Sequence, residues 1–352
     1  MIRTPQGILI ARDRPRKMHE HTCDINLNCM RAAVIDPDSG KIEQEFKAES
    51  YVENYLKIMR ADMRATSTSI DRIDGSSVDT NALNYISITG VIGLARRGIL
   101  LGGSDAATNI EHIDLQGRFD ADVTYSQTGL LNYVNNETDR YYDIVRTVTS
   151  QTDNLEIKEM GMAGHPQTNH IPALYARDVL PSTVTLMNDE GRVFRYRCHF
   201  DQSLSSAFLG TVTNAAHSGA TGVPDIGGSN RNPSSVRCDA GIDELTKGIR
   251  ISHSDTPVLW NDYTIADMYD DTDFYHMVMS FSNLTVSHPV AYFEFYRDMV
   301  NKSGAAQVVR KFGFLFYTGG YVHLGHADLL PVPITVGPDE GIRITYRFGI
   351  EN

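Results

Sequence analysis

Residues 178–197 and 328–347 are two versions of one segment. Aligned without a gap at an offset of 150, Asp178, Leu180, Pro181, Thr185, Asp189, Glu190, Gly191, Tyr196 and Arg197 match Asp328, Leu330, Pro331, Thr335, Asp339, Glu340, Gly341, Tyr346 and Arg347. Nine identities in twenty positions is far above the roughly one that ordinary composition supplies. A second anchor falls at the same offset, where Gly98, Ile99, Ser104 and Asp105 correspond to Gly248, Ile249, Ser254 and Asp255. A chain that repeats itself in this way is expected to build one local structure twice, as a tandem of two related modules.

The repeated segment has the period of a strand. Phe194, Tyr196, Cys198 and Phe200 alternate with Val193, Arg195, Arg197 and His199; Ile342, Ile344, Tyr346, Phe348 and Ile350 alternate with Arg343, Thr345, Arg347 and Gly349. Alternation with aromatic and β-branched residues on one parity predicts a half-buried antiparallel strand. The even offset keeps that parity inward in both copies. The shorter runs 183–186 and 334–336 precede Asp-Glu-Gly, so each copy reads as a hairpin, with Gly191 and Gly341 suited to a positive φ. Upstream, Leu155 to Met160 and Val290 to Phe295 are strand-like. Matching Glu159 to Glu294 takes an offset of 135 and predicts an insertion of about fifteen residues in the second copy, at Asp298 to Val308.

A chain of 352 residues, 41% hydrophobic, can bury a substantial core in two or three domains. No run approaches the ~18 apolar residues of a membrane span, and the first residues hold no apolar signal-peptide core. The expectation is a soluble protein made in the cytoplasm, with no membrane partner. A formal charge of −12 argues against a general nucleic-acid binder, which needs a basic field to displace counterions, and no sequence-specific nucleic acid is expected. Residues 1–17 depart from this, with Arg3, Arg12, Arg14, Arg16 and Lys17 against one Asp13. They read as a solvated or crossing arm, or as an arm that docks on a neighbour's acidic surface, with direct DNA contact last. Cys23, Cys29, Cys198 and Cys238 form no C-x-x-C pair and read as reduced thiols.

Four segments follow. Residues 1–80 hold the arm, alternating strands at Gly7 to Ala11 and Cys23 to Ile35, and one short amphipathic helix over 50–65. There Ser50-Tyr51-Val52-Glu53 is a capping box, and Tyr51, Val52, Tyr55, Leu56, Ile58, Met59 and Met63 fall at helical spacing. Residues 81–210 form the first β module and 238–352 the second. Between them, 211–237 is rich in Gly, Ser, Asn and Pro and is longer than an ordinary connection, so it reads as a loop reaching a neighbouring subunit or as a flexible linker.

Groups that could carry chemistry lack the spacing chemistry needs. His19, His21 and Cys23 share a face if their stretch is a strand, with Cys29 nearby, but the paired short spacings of zinc sites do not occur. Asp262, Asp267, Asp270, Asp271 and Asp273 offer hard-cation ligands at no EF-hand spacing, and read as turn and helix-start residues. His323 and His326 read as loop polar contacts. Gly102-Gly103-Ser104-Asp105 lacks a phosphate-loop lysine; its counterpart Ser252-His253-Ser254-Asp255 implies that glycine is not required there. No nucleophile elbow, Walker A loop, dinucleotide fingerprint or H-E-x-x-H motif is present. The expectation is no catalytic, cofactor-binding or metal-binding residue, and no cofactor.

The second copy runs from Gly248-Ile249-Arg250-Ile251-Ser252-His253-Ser254-Asp255-Thr256-Pro257 through Asn261-Asp262-Tyr263 to Ser282-Asn283-Leu284-Thr285 and a strand bearing Glu294. It closes on Leu-Pro, alternating Thr and apolar residues, a turn and a Tyr-Arg strand. The first copy shows the same close in Ala176-Arg177-Asp178-Val179-Leu180-Pro181, after Ile157-Lys158-Glu159-Met160-Gly161. In these motifs, over about two-thirds of the chain, the module resembles one found in structural proteins of tailed-bacteriophage virions. The resemblance implies a virion assembly protein of the tail, neck or collar, with copies of itself and other virion proteins as partners and the host cytoplasm as the place of assembly.

The fold expected is mainly β, with two related β-sandwich-like modules in tandem and one short N-terminal amphipathic helix. The function expected is that of a non-enzymatic structural protein forming a symmetric homo-oligomer. A receptor- or carbohydrate-binding virion protein and a capsid decoration protein are the alternatives; a carbohydrate-degrading tail enzyme is a third.

Overall fold

The computed structural model describes residues 15–26, 30–48, 51–64, 67–81, 98–125, 129–135, 140–164, 171–199, 248–256, 273–276, 280–318 and 321–351. Alternating runs become strands along nearly all of it, and the fold is mainly β with several sheets. The 211–237 loop, residues 1–14, Cys29, Cys238 and Asp262 to Asp271 lie outside the described residues.

In the first half, a six-stranded sheet runs β3 (Ile42–Ala48), β2 (Met30–Ile35), β12 (Gly191–His199), β9 (Arg140–Ser150), β7 (Val123–Tyr125), with β8 (Gly129–Asn135) also on β9. A three-stranded sheet runs β11 (Ala173–Leu186), β10 (Leu155–Gly164), β6 (Gly98–Gly102). Side chains bridge the two: the Tyr196 hydroxyl on β12 meets the Met160 carbonyl on β10 at 3.1 Å. In the second half, β1 (Met18–Asn26), β20 (Gly341–Glu351), β17 (Val290–Asn301) and β14 (Phe274–His276) form a sheet in that order, with β15 (Ser280–Phe281) and β16 (Thr285–Ser287) on β17. A three-stranded partner runs β13 (Gly248–Ser252), β18 (Gln307–Thr318), β19 (Tyr321–Val336). The remaining strands β4 (Ser67–Asp71) and β5 (Ser77–Asn81) pair with each other.

Parity behaves as the alternation requires. Phe194, Tyr196, Ile342, Ile344, Tyr346 and Phe348 are fully buried, while Arg343, Thr345 and Arg347 are half-buried. On β17 the opposite strand answers in kind: Phe293 stacks on Phe348 with ring centroids 5.5 Å apart, and Phe295 on Tyr346 at 5.3 Å. Both are directly opposed cross-strand pairs, the arrangement in which aromatic contacts add ~0.2–1 kcal/mol beyond burial.

The hairpin reading is corrected. β11 and β19 end at Leu186 and Val336 paired with β10 and β18, whereas β12 and β20 pair in the other sheets. Each Asp-Glu-Gly turn therefore passes the chain from one sheet to another. Alternation states which face a strand buries and says nothing about which edge it meets. The left-handed residue in each turn is Asp189 (φ 63°) and Asp339 (φ 60°), not the glycine that follows; aspartate tolerates this region better than most side chains.

The fifteen-residue insertion is also overturned. Glu159 lies opposite Gly102, and the residue opposite Ser252 is Lys311, so the counterpart of Glu159 is Lys311 at an offset of 311 − 159 = 152. Glu294 belongs to β17, the counterpart of β9: Gly191 opposes Thr149 and Gly341 opposes Val300, an offset of 300 − 149 = 151. The copies differ in this stretch by one or two residues. A glutamate preceded by apolar residues was too common a pattern to align on.

The strands of residues 1–80 are shared between the halves. β1 pairs in parallel with β20, and β2 pairs antiparallel with β12. Helix α1 (Glu53–Arg64) starts later than the capping box implies, because Tyr51 and Val52 are extended: Tyr51 bridges Ala176, the Val52 N–H reaches the Tyr175 carbonyl at 2.9 Å, and the Glu53 N–H reaches Ile110 at 2.8 Å. Within α1, Leu56 is fully buried, and Tyr55 stacks on Tyr51 with centroids 4.0 Å apart. Arg60 Nε donates to the Ser282 carbonyl at 2.7 Å, tying α1 to the second half.

Candidate functional site

The most informative polar groups recur in both copies. On β9, Arg146 is 3% exposed and donates to the Ile99 carbonyl at 3.0 Å; on β17, Arg297 is 2% exposed and donates to the Ile249 carbonyl at 3.3 Å. Each arginine joins the large sheet to the first strand of the small one. Burial pulls the Arg146 guanidinium down to about 10, and the Tyr125 ring lies 4.1 Å from it. The turns repeat bond for bond. Glu190 and Glu340 N–H donate to Met187 and Gly337 carbonyls, Asp189 and Asp339 N–H to Ser150 and Asn301, and the two glutamate carboxylates accept the N–H of Met187 and Gly337. Those amide bonds hold both carboxyls below the usual carboxylate range.

On the outer face of the large sheets the same cluster also appears twice. Arg197 makes a two-toothed pair with Asp143 (2.8 and 3.0 Å) and lies 4.0 Å from the Tyr141 ring centroid. Arg347 pairs with Glu294 at 2.7 Å and lies 5.1 Å from Tyr292. A third cluster sits beside it, Arg343 on Asp298 (2.6 and 2.8 Å) and 4.3 Å from Tyr296. The carboxylate bond is the main cause that raises each arginine above its ordinary value. The signal was Tyr-x-Asp or Tyr-x-Glu facing an Arg across the ladder; Arg197 and Arg347 belonged to the duplication, but their partners lie outside the aligned twenty residues.

Among the described residues the first half carries a deeply buried charge pair. Glu159 and Arg177 are fully enclosed, Nε to Oε2 2.7 Å. Glu159 also accepts the N–H of Gly117 at 2.6 Å and Gln116 at 3.2 Å, and Arg177 donates to the carbonyls of Ala106 (2.8 Å) and Ala107 (3.0 Å). The pair thus clasps the loop 103–119. His112 closes it: its Nδ1 takes the Asn109 N–H at 3.1 Å and lies 3.3 Å from Arg177 Nη1, which makes Nδ1 an acceptor. Burial, then the Arg177 charge, lowers the His112 pKa. Gly102 is needed here, because a Cβ would collide with the Glu159 carboxylate and lie 2.8 Å from the Gly117 carbonyl. The inference that glycine was dispensable fails in this copy; at Ser252 the opposite residue is Lys311.

The other candidates are placed as follows. His19 Nε2 lies 3.1 Å from Glu340 Oε2, the His21 ring packs edge-on against Phe312 at 4.7 Å, and Cys23 is half-buried and packs on the core. Asp273 offers its carbonyl to the Lys302 N–H. His323 and His326 fall on β19. Arg16 and Lys17, from the basic arm, bond through their backbones to Asp339 and Gly341 of the same chain. Among the described residues no three His, Cys, Asp or Glu are grouped to hold a metal ion, and no helix is long and apolar enough to cross a membrane. No protein-family model, curated protein or solved structure matches the chain.

Proposed function

We propose that the chain is a non-enzymatic structural component of a bacteriophage virion, built from two related β-sandwich-like modules and assembling into a symmetric oligomer at the tail, neck or collar. The duplicated sheet pairs, with their repeated Arg146 and Arg297 staples, support the two-module reading. The observation that favours assembly over carbohydrate binding is the state of three tyrosines on the outer sheet faces. Tyr141, Tyr292 and Tyr296 each have a guanidinium over the ring that a sugar would need for stacking, and each guanidinium is itself held by a carboxylate. In the second half these clusters are part-exposed, and side chains already held in ion pairs lose less freedom on docking, which suits contact between folded subunits.

Mass measurement and imaging of the purified protein test this reading. A ring or other closed oligomer of defined copy number is the expected result. A monomer at every concentration, or a trimer that binds glycans on an array, refutes it.

A further inference from the structure

The loop 103–119 of the first half is held by two kinds of contact. Its later part is tied by backbone: the Gly103 N–H meets the Gly117 carbonyl and the Phe119 N–H meets the Leu101 carbonyl, both at 2.9 Å. The Glu159 carboxylate adds its bonds to the N–H groups of Gln116 and Gly117. The earlier part, residues 104–113, depends on side chains. Arg177 holds the Ala106 and Ala107 carbonyls, and His112 Nδ1 accepts the Asn109 N–H at 3.1 Å with Arg177 Nη1 3.3 Å away. Between those points Ile110 is fully buried, and its carbonyl accepts the N–H of Glu53, the first residue of α1, at 2.8 Å. In the second half Lys311 and Ala327 stand where the first has Glu159 and Arg177, so the clasp has no counterpart there.

We propose that residues 104–113 form an acid-released strap: protonation of His112 detaches them from Arg177 and from the start of α1, while 115–119 stay in place. Nδ1 is an acceptor, so the neutral ring carries its proton on Nε2, and a second proton has only Nδ1 to go to. There it faces the Asn109 N–H and the Arg177 guanidinium, and both contacts become donor against donor, the second with like charges. Neighbouring charges do not relieve this. On β10, Glu159 is engaged by Arg177 Nε and two amides; on α1, Glu53 lies 3.1 Å from Lys57; on the loop, Asp114 pairs with Arg118 and Glu111 is exposed. Burial and the Arg177 charge accordingly outweigh Glu159 and lower the His112 pKa. Arg177 cannot retreat without leaving the enclosed Glu159 carboxylate uncompensated, which costs more than moving a loop already exposed at Asp105, Ala106 and Ala107. The strap therefore gives way first, and Ile110 leaves with it.

Amide exchange on the full-length protein between pH 7.5 and 5, corrected for the intrinsic pH dependence of exchange, tests the strap. Protection of residues 104–113 and of the Glu53 amide should fall about tenfold, because an opening linked to one proton grows up to tenfold per pH unit below the ordinary histidine value of about 6.5. The Gly117 and Phe119 amides and those of β10 and β11 should keep their protection. NMR titration of the His112 ring gives the second readout: protection should decline down to the pH at which the ring itself protonates and level off there. His112→Asn retains an acceptor that does not titrate and should hold protection at its pH 7.5 level throughout. Asp114, whose carboxyl burial raises, also responds to acid, so a loss that persists in His112→Asn belongs to that group and overturns the proposal. A loss shared equally by β10 and β11 is global unfolding and overturns it too. Should the variant be open at both pH values, the wild-type ring decides: protonation of His112 without loss of protection at 104–113 refutes the strap.

Discussion

Removing the Arg177 charge should be among the most damaging single changes in the first half. In Arg177→Met the Glu159 carboxylate stays enclosed, with the N–H groups of Gln116 and Gly117 but no countercharge, and the Ala106 and Ala107 carbonyls lose their donor. Leaving one partner of a buried pair uncompensated costs about 3–5 kcal/mol, a large share of the ~5–15 kcal/mol by which domains are stable. Glu159→Met should cost a similar amount for the mirror reason. The double variant Glu159→Met with Arg177→Met has no buried charge left, so it should be less destabilised than the sum of the singles by about 2 kcal/mol or more. Urea unfolding gives the midpoints, with the slope checked for constancy, and amide exchange of residues 103–119 reports whether the loop has come loose. A single-variant loss below about 1 kcal/mol, or additive losses, would show that the pair is a bystander and that the loop is held by its backbone bonds alone.

Other outcomes follow from the same geometry. Because burial lowers the His112 pKa in the folded chain, the unfolded chain binds the proton first. His112 should therefore leave stability intact above its unfolded value near 6.5 and remove stability as pH falls from there through the lowered folded value. Thermal melts from pH 8 to 5 should show that sag, and His112→Asn, which keeps an acceptor in place of Nδ1, should flatten it; an unchanged profile sinks the assignment. Tyr196→Phe strips the hydroxyl that lies 2.9 Å from the buried Asp178 carboxylate and should cost about 1–3 kcal/mol by denaturant titration, against near zero if water replaces it. Asp189→Ala should lose about 1 kcal/mol for its positive φ while Asp189→Gly loses none, and equal losses would mean that side-chain bonds and not backbone strain govern the turn.

What the sequence made legible was local. The parity of Phe194, Tyr196, Ile344 and Tyr346 follows from alternation alone, because a half-buried strand has only two faces. Strand partners were not legible. Leu186 and Gly191 are five positions apart and lie in different sheets, and nothing in a four-residue turn distinguishes a hairpin from a crossing between layers. The Glu159–Arg177 clasp was hidden because both residues sit inside apolar-looking strands, eighteen positions apart, where the eye counts a strand and not a charge. A buried charge declares itself only when its partner is known. Tyr51 and Val52 show the converse error: their helical spacing is real, but tertiary pairing with Ala176 and Tyr175 outweighs a capping preference of ~1 kcal/mol.

The pattern of agreement between the copies separates frame from specialisation. Groups that join strand to strand and sheet to sheet persist: Arg146 with Arg297, Asp143 with Glu294, Arg197 with Arg347, Asp189 with Asp339 and Glu190 with Glu340. Groups that face the long loops and the outer edge do not. Glu159 becomes Lys311, Gly102 becomes Ser252, the Ser182 bulge becomes Val332, and β2 running antiparallel is replaced by β1 running parallel, with no strand beyond it among the described residues. Frame residues are held by the requirement to fold, which both copies share. Some divergent positions are a folding requirement of one copy alone: Gly102 is glycine because the enclosed Glu159 carboxylate leaves no room for a Cβ, and at Ser252 the opposite residue is Lys311.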